Sequence, residues 1–389
     1  MEWLDALLRW IHVIAGVMWI GDSLLFMWID GHLHPDPQSR KDVAGVAWLI
    51  HGGGYYQLEK RWLVPGRLPP RLRWFWLEAT TTWLSGFLLL ILVYYMSAEA
   101  FMLDPGVSRL TPGQAITAGL GLLLGGWLVY DGLWRTALRH PTTALLLSVA
   151  FLVILNYAAT HLFSARAAFL QVGAVLGTIM SANVWVHIIP PQLTMVRAAR
   201  EGREIDYSLG DHAKTRSTHN SYLTFPVIFL MISNHFPGIY AGRLNWVILS
   251  LLMAFGAGVR HLMLVGFRGA RWAAACTTAA AVVLLYLTVQ PSAPPQGSSG
   301  ASAPSFTEVR TIIAQRCASC HSETPTEPGM TSTAGGVRLD TPEQITVRAA
   351  RIKARAVEQR TMPLGNTTGI TDEERAILGR WVDAGARLK

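Results

Sequence analysis

Charge is scarce in this chain. Only 15% of its 389 residues are Asp, Glu, Lys or Arg, against 51% hydrophobic ones, where an ordinary soluble domain carries about a quarter charged. That scarcity excludes a purely soluble enzyme. Cysteine is scarcer still, and three residues are too few for a disulfide framework. Acidic residues are the rarer sign, 25 against 33 basic ones for a formal net charge of +8. A basic balance can signal nucleic acid, but here the Lys and Arg sit between apolar runs, where they control membrane topology. No nucleic-acid partner is expected.

What the chain has in abundance is long apolar runs. Eight of them read as spanning candidates, near the ~18 residues that cross a bilayer: Trp10–Ile29, Trp74–Met96, Ala115–Leu133, Thr142–Thr160, Ala167–Ile189, Ser221–Asn234, Leu244–Val265 and Trp272–Val289. Ser221–Asn234 is the shortest and contains Pro226, so a broken or re-entrant helix is its alternative reading. Glu2 and Asp5, with no small-residue cleavage site after a short apolar core, make the first run a retained span rather than a signal peptide. Sixteen Lys and Arg lie in or beside alternate connections (Arg40 to Arg73, Arg135 and Arg139, Arg197 to Arg216, Arg268 and Arg271). The other side has only Arg9, Arg109, Arg166 and Arg243. The positive-inside rule then puts both termini outside the cytoplasm, which an even number of spans requires. The expected setting is a bacterial inner membrane, crossed many times, with the N-terminus and the tail in the periplasm.

After Val289 the composition changes. Residues 290–305 read QPSAPPQGSSGASAPS, a flexible Pro/Gly/Ser linker, and from Phe306 to Lys389 the chain is polar. The expected division is a membrane domain at 1–289, the linker at 290–305 and a small soluble domain at 306–389. Within that tail, Cys317-Ala318-Ser319-Cys320-His321 is the attachment pattern of a covalent c-type haem. Two thiols three residues apart reach both vinyl groups of one porphyrin, and the adjacent His meets the iron. The tail has no further Cys or His to complete a zinc site. The sixth ligand is expected from Met362, in Arg360-Thr361-Met362-Pro363-Leu364, with Met330 as the competitor; a Met opposite His suits electron transfer. Helices are expected near Phe306–Gln315 and Asp372–Ala386, the second opened by a capping box from Thr371 and Glu374. The tail resembles a small class I cytochrome c. The fold class is therefore all-α: a polytopic bundle of about eight spans plus that domain.

Polar residues inside a bilayer are costly and mark function. Toward the outer side lie His12, His161 and His235; toward the cytoplasm lie His187 and His261, with His51 and His219 in the adjoining loops. One or two non-covalent b haems, one per layer, would form an electron path to the tail, with His12 the first ligand and His161 and His235 the others in its layer. Gly173, Gly177 and Ser181 form a small-residue stripe where a porphyrin could approach. The cytoplasmic half adds Asp22, Glu78, Asn183 and Arg260, and its loops add Lys60, Gln192 and Lys214–Asn220. An Arg fork suits a planar anion, and Asn or Gln reads amide-like edges.

Several strings together resemble the membrane-bound urate hydroxylase family. They are Ile11-His12 through Gly16 to Trp19-Ile20-Gly21-Asp22-Ser23, then His51-Gly52-Gly53-Gly54-Tyr55, and Phe75-Trp76-Leu77-Glu78. Further along come Gly177–Trp185, Arg216-Ser217-Thr218-His219-Asn220-Ser221-Tyr222, Met231–His235 and Arg260-His261. The resemblance covers the whole chain, including the C-terminal cytochrome c. It implies hydroxylation of urate to 5-hydroxyisourate, with electrons passing to cytochrome c rather than to oxygen as peroxide, and onward to a periplasmic soluble cytochrome c or a terminal oxidase. It does not say which residues bind urate. From position and chemistry, Arg260, Asn183 and Asn220 are the expected substrate ligands, and Glu78, His187 and His261 the expected proton acceptors. A cytoplasmic pocket would need an intervening b haem, whereas one opening outward could deliver electrons to the tail directly. The competing reading is a quinol-oxidising b/c-type electron-transfer protein.

Overall fold

A computed structural model of the chain describes residues 2–136, 141–240, 242, 244–266, 269–289, 304–327 and 333–388. Nearly all of the linker expected at 290–305 falls outside the described residues, and so does Met330.

The N-terminal part is a helical bundle. Helix α1 (Glu2–Gly31) is followed by strands β1 (Val43–His51) and β2 (Gly54–Arg61), then by α2 (Leu77–Leu89), α3 (Ala98–Phe101), α4 (Pro112–Thr136), α5 (Pro141–Leu162), α6 (Ala165–Ala182) and α7 (Ile189–Arg200). The bundle is completed by α8 (Ser208–Ile232), α9 (Pro237–Tyr240), α10 (Asn245–Val265) and α11 (Arg271–Val289). Among the described residues, seven helical stretches are long and apolar enough to cross a membrane: 3–31, 77–95, 112–136, 142–162, 165–200, 245–265 and 271–288. These correspond to seven of the eight expected runs. The eighth, expected at 221–234, lies within α8, a continuous helix that passes through Pro226.

The first half of α8 corrects the reading of 214–220 as a loop. Ala213, Arg216, Asn220 and Thr224 recur every three or four residues and are buried, so the segment is an amphipathic helix whose inner face is polar. The hairpin is a second departure from an all-helical bundle. Gly52 and Gly53 both take positive φ, 56° and 79°, the conformation a two-residue turn matched to strand twist requires. Ile50 therefore pairs with Tyr55 and His51 with Gly54. Lys60 and Lys214 both pair with Asp30 at the end of α1.

α6 is the most deeply embedded stretch, surrounded by α2, α4, α5 and α8. Its own Phe169, Leu176 and Ile179 are fully enclosed, and so are Phe163, Leu230 and Leu249 in the same core. A side chain at Gly173 would meet Met231 Cε at 2.8 Å, so this glycine admits α8; the expected porphyrin stripe is used there for helix packing. Beyond Ala182 the helix widens into a π turn over Asn183–Ile188. Pro190 and Pro191 follow it and cannot donate to carbonyls one turn back, a local reason for the widening.

The C-terminal part comprises α12 (Phe306–Arg316), α13 (Ala318–His321), α14 (Pro342–Val347), α15 (Ala349–Ile352) and α16 (Asp372–Asp383). It has its own core of Val309, Ile312, Ile313, Leu339, Ile345, Leu378 and Trp381. Helices α12 and α16 agree with expectation, and the Thr371–Glu374 capping box is formed. Ser305–Glu308 and Thr341–Gln344 make two more. This unit meets the bundle at the end bearing α3, the close of α5 and residues 234–245.

Candidate functional site

The polar side chains of the other end of the bundle converge. Asp131, from α4, is the hub. Its Oδ1 lies 2.5 Å from His187 Nε2 and accepts from Arg216 Nη2 at 3.1 Å, while Oδ2 accepts from Arg135 Nε at 2.6 Å. The Arg216 and Asp131 side chains are 3% and 8% exposed, and such a buried pair persists only when its remaining groups are also satisfied. The Arg216 guanidinium lies over the Tyr130 ring, 5.2 Å from its centroid.

Asn183 Nδ2 donates to the Tyr130 hydroxyl at 3.0 Å and to Asn220 Oδ1 at 2.9 Å, and Asn220 Nδ2 donates to the Met180 carbonyl at 2.9 Å. The Tyr130 hydroxyl also bonds His219 Nδ1 at 2.8 Å. On α10, Arg260 Nε donates to Ser221 Oγ at 2.7 Å, and His261 Nδ1 bonds the Tyr222 hydroxyl at 2.7 Å.

The residual valences of this cluster are informative. Arg216 Nη1, Arg260 Nη2, Asn183 Oδ1 and Ser181 Oγ are buried with no hydrogen-bond partner among the described residues. Buried polar groups are nearly always paired. Orphaned guanidinium donors and an orphaned amide acceptor are the groups that an anion carrying N–H groups would pair with.

The structure thus joins Asn183 to Asn220 directly. It ties both to His187 through the adjacent Tyr130 and Asp131, and it places Arg260 and His261 beside Ser221 and Tyr222, the next two residues of α8. Glu78 is buried, has one unpartnered oxygen and stands 3.9 Å from Arg73; it bonds none of the cluster. Sequence reasoning missed Tyr130, Asp131, Arg216, Ser221 and Tyr222 as site residues. An acid inside an apolar run was the available signal at Asp131.

At the opposite end, the expected haem-bearing histidines His12, His161 and His235 make no hydrogen bonds to one another. His12 packs on α2, with Nδ1 2.9 Å from the Thr82 carbonyl and 3.2 Å from Ser85 Oγ. His161 bonds the Tyr157 carbonyl through Nδ1 at 2.8 Å and stacks on the Tyr157 ring. In both, a backbone carbonyl takes Nδ1–H and leaves Nε2 available, the arrangement usual for a metal-binding imidazole. His235 is exposed in a short turn after α8.

In the C-terminal unit, Cys317 and Cys320 are free thiols on either side of the first turn of α13, and burial pushes Cys317 up to about 11. His321 Nδ1 donates to the Val337 carbonyl at 2.9 Å, again leaving Nε2 for a metal. Arg375 Nη1 holds the Met362 carbonyl at 2.8 Å. Cys317, Cys320 and His321 have the chemistry that would hold a covalent haem c, with Met362 as the candidate for a further iron ligand. No group of three or more His, Cys, Asp or Glu among the described residues is arranged for a metal ion.

Residues 1–290 match the urate oxidase N-terminal family. The chain belongs to that family. Membership gives it a urate-related, oxidoreductase role, and its apolar helices are compatible in length and composition with a membrane protein. Searches of curated proteins and of solved structures each found no match.

Proposed function

We propose that the chain is a membrane-bound urate hydroxylase. It oxidises urate to 5-hydroxyisourate with water as the oxygen source and passes the electrons to a periplasmic cytochrome c or terminal oxidase, forming no peroxide. The observation that carries this reading is the set of unpartnered buried atoms on Arg216, Arg260 and Asn183 in a chain of the urate oxidase N-terminal family. Urate is a planar anion whose edges alternate carbonyl oxygens with N–H groups. The reaction balances as urate plus water giving 5-hydroxyisourate, two protons and two electrons.

Each residue then has a task. Arg260 and Arg216 bind the anion with charge-assisted hydrogen bonds. Asn183 has spent its amide donors on Tyr130 and Asn220, so its Oδ1 accepts a substrate N–H, and Asn220 holds it in place. His187 donates Nε2–H to Asp131, which fixes the tautomer and leaves Nδ1 to take a proton as water adds. His261 is engaged by Tyr222 and Glu78 faces Arg73, so His187 is the favoured acceptor of the three.

A haem c on Cys317, Cys320, His321 and Met362 supplies one-electron acceptance at the far end of the bundle. Tyr130 lies about 27 Å along α4 from Pro112, at ~1.5 Å per residue. That separation is where one or two b haems belong in this reading, with His12, His161 and His235 as ligands. The charge bias supports a periplasmic C-terminal unit in this reading.

The test is anaerobic addition of urate to the purified holoprotein with no quinone present. Reduction of the haem c with formation of 5-hydroxyisourate is the expected result. A haem that only a quinol reduces would establish the electron-transfer alternative instead.

A further inference from the structure

A cleft of about 450 Å³, partly open to solvent, lies where the two units meet. Its basic walls come from both sides: Arg166 from the bundle, Arg355 and Arg360 from the C-terminal unit. Arg166 is held over the Phe101 ring at 5.3 Å, with Nε donating to Asn234 Oδ1 at 3.1 Å and the guanidinium also lying against the Tyr94 hydroxyl. The Arg355 side chain has no hydrogen-bond partner among the described residues, while Arg360 pairs with Asp372 at 2.9 Å. Among the described residues, the one carboxylate lining the cavity is Asp104, whose Oδ1 already accepts from the Gly106 amide at 2.9 Å.

Like charges facing one another across an interface oppose docking. Yet the units are in close contact beside this cavity: a side chain at Gly365 would stand 2.9 Å from the Ala100 and Leu103 carbonyls. A second observation points to a ligand with a donor as well as negative charge. Gln359 Oε1, which belongs to a lining residue, is buried and has no hydrogen-bond partner among the described residues. An anion bearing an N–H or O–H group would neutralise the arginines and, with the Gln359 side chain turned into the cavity, satisfy that oxygen.

We propose that this cavity is an anion site, separate from the buried cluster, and that its occupant clamps the C-terminal unit to the bundle. The ligand class is a small anion carrying at least one hydrogen-bond donor. Hydrogen phosphate and a purine-type anion such as urate share that chemistry. The clamp sets whether Met362, which lines the same cavity, stays against the bundle.

The test uses the full-length holoprotein in detergent, in buffer free of both anions. Inorganic phosphate is titrated in one arm and urate, anaerobically and with the haem already reduced so that no acceptor remains, in the other, by calorimetry. Amide hydrogen exchange is followed at 98–106 and 355–366. Saturable binding in either arm that slows exchange in both segments is the expected result, and the arm that responds identifies the source. Arg166→Gln and Arg355→Gln should each weaken binding at least tenfold, and Arg355→Lys should recover part of it. Absence of saturable binding, as when the haem's own propionates fill the arginines, would overturn the proposal. So would binding that neither Gln variant alters while the haem spectrum shows a folded unit. Loss of urate turnover in Arg260→Gln with phosphate binding intact would concern the buried cluster alone.

Discussion

His187 Nε2 and Asp131 Oδ1 lie 2.5 Å apart inside the bundle, and the same carboxylate oxygen accepts from Arg216. One buried anion therefore orients an imidazole and neutralises a guanidinium. Asp131→Asn keeps the size but loses the charge. We expect kcat for urate to fall about a hundredfold or more with a smaller change in KM, as for loss of an oriented base. His187→Gln should cost a similar factor, and the double variant little more than either single one, since residues acting as a unit are not additive. Steady-state kinetics of the three variants checks this.

The same pair makes a stability prediction. Asp131→Ala leaves Arg216 buried without its counter-ion, which costs about 3–5 kcal/mol. Asp131→Ala with Arg216→Met removes both charges and should recover much of the loss in thermal unfolding of the detergent-solubilised protein. Equal losses in the single and double variants would mean that the pair is not energetically coupled.

Arg260 makes one bond to Ser221 and keeps Nη2 unpartnered in a buried position. A charge-assisted hydrogen bond to a bound anion is worth roughly 1.5–3 kcal/mol. Arg260→Gln should thus lower kcat/KM for urate by about ten- to a hundredfold. Arg260→Lys should restore little, because a point charge does not reproduce the planar fork. An unchanged kcat/KM in both would remove Arg260 from the substrate site.

How much of this was legible beforehand follows from the kind of signal each element carries. Helices that bury apolar faces in lipid announce themselves by composition, and seven of them lie where the apolar runs are. The capping box at Thr371 and Glu374 was equally plain, because Ser or Thr followed three residues later by Glu or Gln has a local cause. The first half of α8 was hidden, since its buried stripe is Arg216, Asn220 and Thr224 and hydropathy cannot see a polar inner face. The hairpin was hidden by its connection: a Gly-Gly pair reads as loop until the strands beside it are paired. Asn183, Asn220 and Arg260 were chosen from the sequence as site residues and lie in the cluster. Asp131, which organises the cluster, sat unremarked in an apolar run, because one-dimensional spacing does not bring α4 to α6 and α8.

Gly86 offers a check on His12. A side chain there would stand 2.8 Å from His12 Cε1, so Gly86→Ala must displace the imidazole or part α1 from α2. If His12 binds a b haem, the variant should lose b-type signal while keeping the covalent c-type signal in a pyridine haemochrome spectrum. Unchanged b haem in Gly86→Ala, with His12→Gln also silent, would remove His12 as a ligand.

The C-terminal unit should weaken in acid for a reason located at Glu374. Burial of its carboxyl pushes the pKa up, but the Thr371 amide and the Arg316 guanidinium outweigh that and hold it below the ordinary value. The amide donates at 2.8 Å, and Arg316 donates through Nε and Nη2 at 3.1 Å. A carboxyl with a depressed folded-state pKa contributes stability that is fully present above its unfolded value, near 4.3, and is lost as pH falls through the folded value. Neutral pH therefore retains the contribution, and it disappears on the acid side of the normal Glu range. Glu374→Gln preserves the capping geometry, since Gln serves at that position, and removes only the charge. At pH 7 we expect it to cost about 1 kcal/mol, the upper end for a partly exposed ion pair. Pulse proteolysis of the full-length protein in urea, read from loss of the C-terminal fragment, measures it. The wild type and Glu374→Gln should differ at pH 7 and converge toward pH 3; a gap that stays constant would place the effect in the cap hydrogen bonds rather than in the ion pair.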